Sequence, residues 1–337
     1  MGMAKRSYSK KGRSKIEPAV QTMTLITPTV TAGAVGSFTA DLSQIASLVN
    51  RRFYRQGINW AVAGFKVITT ANGNLSVTKL PNTWVMSNAW EKSFRSWQKM
   101  NREALAESQS VRPKFLDFKI HADSVHHAAG FGANLLPVDA ANAPYASGEW
   151  ESSKIHVPFG PSSPGNTTEL EMMAVGANYN GGTTAVVSLI EGYAASRGLP
   201  FSLDPNTPDD ADDADGSTPE NWMSALFNTG TDQDSEVLAD MITENNQAPY
   251  PFEGDGLNVD TQYPGGANQA PTLEHHDSGI VTPTTIGGIT YLKGGNFPCG
   301  LVRFNWNPTE ITSGIRIEID LVPGNHRGYL CEPMTEM

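Results

Sequence analysis

The chain has 337 residues, a formal net charge of −11, 32 glycines, 22 prolines and two cysteines. This length allows one large domain with an insertion, or two domains, and either buries a substantial core. Frequent glycine and proline with 39% apolar residues exclude an all-helical protein and favour short strands joined by long loops. Two cysteines are too few for a disulfide framework or a cysteine-based metal site, so we expect folding in a reducing compartment.

The chain begins with MGMAKRSYSKKGRSK, which has six basic side chains and no acidic one. Glu17 and Pro18 follow instead of an apolar segment, so we expect no signal peptide, and no apolar run is long enough for a bilayer span. Residues 1–19 are predicted to be an arm that binds nucleic acid, because cationic side chains release counterions from phosphates without a folded site. The alternatives are a nuclear-import signal and a solubilising tail. The predicted phosphate contacts of the arm are Lys5, Arg6, Lys10, Lys11, Arg13 and Lys15.

Short segments with β-branched or alternating apolar residues predict eight or nine strands. They are 22–31, 58–70, 114–122, 153–159, 168–176, 184–194, 289–295, 300–307 and 313–322. Strands without alternating helices predict an antiparallel sandwich or barrel. The predicted fold class is therefore all-β, with the body formed by residues 20–197 and 286–325 and a tail at 326–337.

One helix is predicted over residues 87–108, where Asn88 and Glu91 resemble a capping box. At about 100° per residue, one stripe of this helix is aromatic and is expected to face the sandwich. The stripe consists of Trp90, Phe94, Trp97 and Leu105. A second stripe lies roughly opposite and is basic, which predicts contact with solvent or with a polyanion. It consists of Lys92, Arg95, Lys99 and Arg102.

The run RRFYRQ at 51–56 is also basic, and it favours the polyanion over a merely solvated helix face. Arg51, Arg52 and Arg55 are therefore predicted to extend the nucleic-acid surface. Tyr54, in the same run, is either a side chain that stacks on unpaired bases or a core residue.

Residues 198–292 contain seventeen acidic residues and no lysine or arginine. Their proline, glycine, asparagine and aspartate content predicts a loop-rich insertion over 198–285, placed on the outer surface because it repels a genome. The run DDADDADG fails the EF-hand pattern, since aligning Gly216 with the loop glycine places Trp222 where the bidentate glutamate belongs. A solvated acidic loop is favoured over a loose calcium site. The carboxylates of that alternative are Asp209, Asp210, Asp212, Asp213 and Asp215.

Motifs for catalysis and metal binding are weak. HADSVHH and LEHHDSG bring together imidazole and carboxylate groups, but neither has HExxH spacing or a further ligand pattern. Ordinary loop or interface histidines are favoured, so we predict no metal, no cofactor and no enzyme. The sequence has no Walker A run, no GxGxxG that opens a strand-to-helix unit and no serine nucleophile elbow. The two clusters comprise His121, Asp123, His126, His127, Glu274, His275, His276 and Asp277.

A short basic arm, an eight-stranded antiparallel body, a long insertion before the last strands and the ending PCGLVRFNWNPTEITSGIRIEIDLVPGNHRGYL form a familiar layout. This layout resembles the single jelly-roll capsid proteins of small icosahedral viruses, above all those of circular single-stranded DNA viruses that encode a replication initiator. The resemblance implies an eight-stranded antiparallel jelly roll that self-assembles into an icosahedral shell and packages a single-stranded genome. It also implies location in the virion, assembly in host cytoplasm or nucleus, and an outer surface for a host receptor.

Two alternatives to that function remain open. A coat protein of a small RNA virus uses the same physics as one of a DNA virus. A carbohydrate-binding or hydrolytic β-sandwich is the alternative from another class, and the histidine and aspartate clusters are its only support. No membrane insertion is expected under any of these hypotheses.

Overall fold

Strands dominate the computed structural model, which describes residues 18–104, 117–158, 167–180, 185–197, 272–285 and 288–336. In chain order the strands are β1 (Thr22–Ile26), β2 (Gly36–Asp41), β3 (Ile58–Ile68), β4 (Gly73–Lys79), β5 (Lys154–Pro158), β6 (Thr167–Met173), β7 (Tyr179–Asn180), β8 (Ala185–Ser188), β9 (Glu274–Val281), β10 (Thr290–Phe297), β11 (Leu301–Pro308), β12 (Arg316–Leu321), β13 (Pro323–Gly324), β14 (Gly328–Tyr329) and β15 (Cys331–Pro333). The α-helices are α1 (Leu42–Asn50), α2 (Trp84–Ala104), α3 (Ser124–Ala129) and α4 (Leu189–Arg197).

Two antiparallel sheets form a sandwich. The first has the order β1-β12-β3-β10, with the short β15 also paired to β3, and the second has the order β2-β11-β4-β9. Four of the eight long strands thus come from each half of the chain, and neighbouring strands in a sheet are distant in sequence. The all-β sandwich prediction is confirmed.

The core of the sandwich lies between the two sheets. Strand β12 alternates half-buried and buried residues, as a strand with one wet face does. Aromatic side chains from both sheets meet edge to face, with the ring of Phe65 5.5 Å from that of Phe297 and 5.6 Å from that of Phe304. Trp60 and Trp306 are fully buried in the same cluster. Burial of these rings fixes the register of the strands that carry them.

The two ends of the sandwich differ in their connections. At the end that we call the helical end, α1 connects β2 to β3 and residues 80–273 connect β4 to β9. At the opposite end, which we call the loop end, short segments connect the strands: 27–35, 69–72, 282–289 and 309–315. These four segments contain a single charged residue, Glu310. The loop end is therefore close to neutral.

A third sheet, with the order β5-β6-β8-β7, packs with α2 and α4 at the helical end, and we call this part the helical layer. Pairing of β6 with β8 is parallel, whereas β5–β6 and β7–β8 are antiparallel. The layer has its own apolar cluster, in which Ile155, Leu170 and Val187 are buried, and Leu301 joins it from the sandwich. No helix in the described ranges has the length and apolar character needed to cross a membrane.

Several predicted strands lie in the helical layer and not in the sandwich. Segments 153–159 and 168–176 form β5 and β6, and segment 184–194 forms the short β8 and then α4. The described part of 114–122 is not a strand, although His121 makes an isolated bridge to Met173. Segments 153–159 and 168–176 are therefore strands as predicted, although they lie outside the sandwich. The strand assignment is wrong for the described part of 114–122, and for 189–194, where a buried apolar run looks the same in a helix and in a strand.

The sandwich is completed by β2, β4 and β9, which the sequence analysis did not predict. Strand β9 pairs with β4, so the predicted insertion boundary at residue 285 is wrong and the insertion ends before Glu274. Helix α2 begins at Trp84, where the Thr83 hydroxyl accepts a hydrogen bond from the Met86 amide at 3.4 Å. Asn88 and Glu91 lie inside the helix and form no capping box.

Candidate nucleic-acid interface

The basic arm joins the sandwich at its helical end. Its six predicted contacts, Leu105 of the aromatic stripe and the five aspartates of the calcium alternative lie outside the described residues. At the first described residues, the carbonyl of Pro18 accepts a hydrogen bond from Arg52 at 3.3 Å, and the amide of Val20 donates to Asn50 at 3.0 Å. The arm therefore joins the body beside the basic run 51–56.

Three exposed arginines follow the end of α1: Arg51, Arg52 and Arg55. The first of them caps the helix with φ of 51°, in the left-handed region where glycine or asparagine is usual. A β-carbon makes this conformation costly, and such outliers are frequent at functional sites. The structure thus places an exposed cation at a position where local backbone energetics favour a smaller residue.

A cleft of about 610 Å³ lies between the segment 53–58, α2 and the turn that contains Arg327. The arginines in its lining are Arg55, Arg95 and Arg327. The aromatic residues in its lining are Phe53, Trp90, Phe94 and Phe118. Cations beside aromatic rings are the combination that single-stranded nucleic acid requires, because phosphates pair with the cations and bases stack on the rings.

The aromatic wall of the cleft is formed mainly by α2. Trp90 and Phe94 are stacked, with their ring centroids 5.0 Å apart and an interplanar angle of 22°. Phe118 meets the Trp90 ring edge to face at 5.9 Å. Gly57 allows this wall to approach the sandwich, because a β-carbon at that position would overlap the indole of Trp90. The wall is therefore packed and ordered before any ligand arrives.

Arg327 was not predicted as a site residue. It lies in the tight turn between β13 and β14 with φ of 51°, and its guanidinium donates to the carbonyl of Phe53. Its own carbonyl accepts from the Tyr54 hydroxyl at 3.0 Å. A turn sequence with an arginine at an exposed tip is the only sequence signal for this position, and turns of that kind are common on any surface.

The charge of the cleft is positive. Its lining contains one acidic residue among the described ones, Glu91, which pairs with Arg95 one helical turn away. The side chain of Arg95 is nevertheless 70% exposed. Burial and the neighbouring Arg327 hold the pKa of His326 below its ordinary value, so this imidazole is neutral at pH 7. Three arginines against one glutamate leave a net attraction for phosphate.

The basic stripe of α2 does not act as one surface in this cleft. Arg95 lines the cleft, whereas Lys92 and Lys99 are half-buried and do not belong to its lining. Arg102 is exposed near the end of the helix and donates to Gln98 at 3.5 Å. The aromatic stripe packs against the cluster of the helical layer instead of the space between the sandwich sheets, with Trp90 buried and the rings at 94 and 97 half-buried.

Tyr54 is a core residue. It is 1% exposed, and its ring lies 5.8 Å from that of Trp60 and 5.5 Å from that of Tyr329. The interpretation of Tyr54 as a base-stacking side chain is therefore wrong. Phe53, its neighbour in sequence, is the ring of this run that lines the cleft.

The two histidine clusters differ in their burial. His275 and His276 lie on the edge strand β9 at the surface. His121, His126 and His127 come together beside β6, in a largely buried polar group.

Comparison of the chain with family models, curated proteins and solved structures gives no match.

Proposed function

We propose that the chain is the coat protein of a small virus, which self-assembles into an icosahedral shell around a single-stranded genome. The layout of the chain resembles above all the coat proteins of circular single-stranded DNA viruses, so the proposed genome is circular DNA. Its function in this proposal is self-association and genome enclosure, without catalysis. The observation that carries the proposal is the strand order of the sandwich. Sheets ordered first-eighth-third-sixth and second-seventh-fourth-fifth among the eight long strands support a jelly roll, in which two Greek keys interlock.

The surface of the helical end supports a nucleic acid as the enclosed ligand. The attachment point of the arm at residues 18–20, the arginines at 51, 52 and 55 and the aromatic cleft all lie at this end of the sandwich. Phosphate neutralisation supplies affinity without sequence preference, and base stacking on Phe53 or Phe94 accepts every base. A coat protein requires this kind of sequence-tolerant binding.

The loop end supports self-association. Large apolar side chains are exposed there, including Ile280 at 77%, Val35 at 63% and Ile311 at 59% of their surface. Tyr291, one residue into β10, is 69% exposed. An end that carries exposed apolar groups and one charged residue in its connections gains free energy when a second copy covers it.

Electron microscopy of the purified protein tests the proposal. Closed particles of uniform diameter are expected, and the nucleic acid inside them should be removed by deoxyribonuclease after the particles are opened. Removal by ribonuclease instead would identify an RNA genome and keep the coat function. Protein that stays monomeric at every salt concentration and binds a glycan array would overturn the proposal in favour of a carbohydrate-binding sandwich.

A further inference from the structure

A second site lies between α3, β6 and the segment around His121, away from the cationic cleft. His127 is on α3, and Glu171 is on β6. The backbone of His121 is fixed against β6, because its amide donates to Met172 at 2.9 Å and its carbonyl accepts from Ala174 at 2.8 Å. The segment 121–127 and the distant strand β6 thus bring two imidazoles and a carboxylate together.

The donor atoms of these three side chains converge. Nε2 of His127 lies 2.7 Å from Oε2 of Glu171, and Nε2 of His121 lies 3.9 Å from the same oxygen. One ligand atom from each side chain lies within 4.8 Å of the other two. Small rotations of these side chains suffice to surround one ion, since zinc holds nitrogen and oxygen ligands at about 2.0–2.2 Å.

His121 indicates that a ligand is missing from this group. The residue is 3% exposed, and its Nδ1 has no hydrogen-bond partner among the described residues. Its Nε2 is too far from Glu171 for a hydrogen bond. A buried ring nitrogen without a partner costs free energy unless something binds it.

The surroundings hold the ligands as a metal site requires. The hydroxyl of Tyr179 lies 2.5 Å from Nδ1 of His127, where its oxygen can accept a hydrogen bond from the ring N–H when Nε2 binds an ion. Phe131 stacks on His121 with a centroid distance of 4.3 Å and an angle of 19°. Asp123 caps α3 and forms two hydrogen bonds of 2.5 Å with Arg303 of β11, which anchors the helix to the sandwich.

We propose that His121, His127 and Glu171 bind one zinc ion, with water as the fourth ligand. Two imidazoles and one carboxylate form a donor set that suits zinc, and harder ions such as calcium prefer oxygen ligands alone. The bound ion links α3 and the segment around His121 to the third sheet. This proposal departs from the expectation of ordinary loop histidines, and it is independent of the proposed coat function.

Zinc titration of the full chain after chelator treatment and dialysis tests this inference. We expect one zinc ion per chain by calorimetry, and a melting temperature that rises by about 2 °C for each tenfold increase of free zinc above Kd. Cobalt in place of zinc should give the visible absorption of a four-coordinate complex. The measurement uses unassembled protein without nucleic acid, so its outcome does not depend on shell formation.

Two single variants and one control localise the ion. Glu171→Gln and His127→Gln should each weaken zinc binding by more than the about 10–100-fold that loss of a hydrogen-bond partner of a ligand costs, while circular dichroism shows an unchanged fold. The control, His275→Gln with His276→Gln, removes the two histidines of the exposed strand β9 and should bind zinc like the parent. Unchanged affinity in both single variants, or loss of binding in the control alone, would overturn the proposed site.

Discussion

The helical end and the loop end of the same sandwich present opposite chemistry. Arg55, Arg95 and Arg327 surround an aromatic cleft at the helical end. At the loop end, four short connections carry one charge, and Ile280 and Ile311 are exposed. The same strands run to both ends of the sandwich, and the ends differ in the segments that connect the strands. Because these segments lie outside the sandwich core, their sequence can vary at one end without affecting the other. The charged and the apolar surfaces of this sandwich are therefore separated along the strand direction.

The acidic insertion also starts and finishes at the helical end. Helix α4 ends at Arg197 in the helical layer, and Leu273, directly before β9, packs against the apolar cluster of the same layer. The basic arm and the acidic insertion are therefore attached to the same end of the sandwich, and not to opposite ends. Placement of the insertion on the outer surface stays a prediction.

The loop end gives the largest expected effect. Ile280→Asp combined with Ile311→Asp should abolish particle formation, because each contact would bury an unpaired carboxylate at a cost of several kcal/mol. The two side chains are exposed, so the melting temperature of the unassembled protein should not change. Size-exclusion chromatography with light scattering measures the loss of particles.

The matched control for that variant lies at the other end. Leu330 is 50% exposed beside β14, and Leu330→Asp introduces the same chemical change at the helical end. This variant should still assemble. Normal particles from the double variant together with no particles from Leu330→Asp would reverse the assignment of the two ends.

The cationic cleft gives the next largest effect. Changing Arg55, Arg95 and Arg327 to Gln should weaken binding to single-stranded DNA and lower the log–log salt slope by about 2, since each phosphate contact on a single strand contributes about 0.7. Fluorescence anisotropy over a salt series measures both quantities. The double variant without the change at Arg327 should lower the slope by about 1.4, and it avoids any disturbance of the turn.

Equal charge removal elsewhere supplies the control for the cleft. Lys66 pairs with Asp320 and Lys154 pairs with Glu169, both on sheets outside the cleft. Changing these two lysines and Arg316 to Gln should leave the salt slope close to that of the parent. A slope that falls equally in both triple variants would show that net charge, and not the cleft, determines binding.

The aromatic wall predicts a difference within α2. Trp90 is 6% exposed, so Trp90→Ala should lower the free energy of unfolding by about 3–5 kcal/mol. Trp97 is half-buried at the rim of the same cluster, and Trp97→Ala should cost less. Urea unfolding followed by circular dichroism gives both values. Equal costs would mean that the rim is packed as tightly as the wall.

The sandwich could be predicted from its central strands but not from its edges. Strands β3 and β12 show alternation because one face of each is buried. Edge strand β9, with sequence EHHDSGIV, buries only its last residue, so no apolar period marks it. All four residues of β8 are buried, and the chain becomes helical directly after them, at Leu189. A continuous buried run has no periodicity that marks this change from strand to helix.

Two of the three cleft arginines, and two of the three proposed metal ligands, lie in segments that the sequence analysis singled out. Clustered cations in 51–56 are visible without a structure, and Arg55 does line the cleft. Arg327 is isolated in sequence, and only the pairing of β13 with β14 brings its turn to Phe53. Likewise, HADSVHH contains two of the three proposed metal ligands, but Glu171 lies more than forty residues away and reaches them through the pairing of the segment around His121 with β6.

Asp41, at the base of the helical end, gives the smallest and most specific expected effect. Its carboxylate caps α1 by accepting from the amides of Ser43 and Gln44, and it also accepts from Gln56 at 3.0 Å and Trp150 at 3.1 Å. Burial raises the pKa of Asp41 to about 6, from 3.8, although these four donors act in the opposite direction. Between pH 4 and pH 6 the folded chain therefore holds a proton on this group that the unfolded chain has lost.

The sign of the resulting pH dependence is opposite to that of an ion-paired aspartate. The contribution of Asp41 to stability is fully present below pH 4 and is lost as the pH rises through 6, by about 3 kcal/mol in total. Asp41→Asn keeps the size of this side chain but cannot titrate. The stability of the parent relative to this variant, from urea unfolding at pH 4.5, 5.5, 6.5 and 7.5, should thus fall with rising pH. A stability difference between parent and variant that stays constant from pH 4.5 to 7.5 would show that Asp41 keeps one protonation state. The four hydrogen bonds that Asp41 accepts would then be independent of pH.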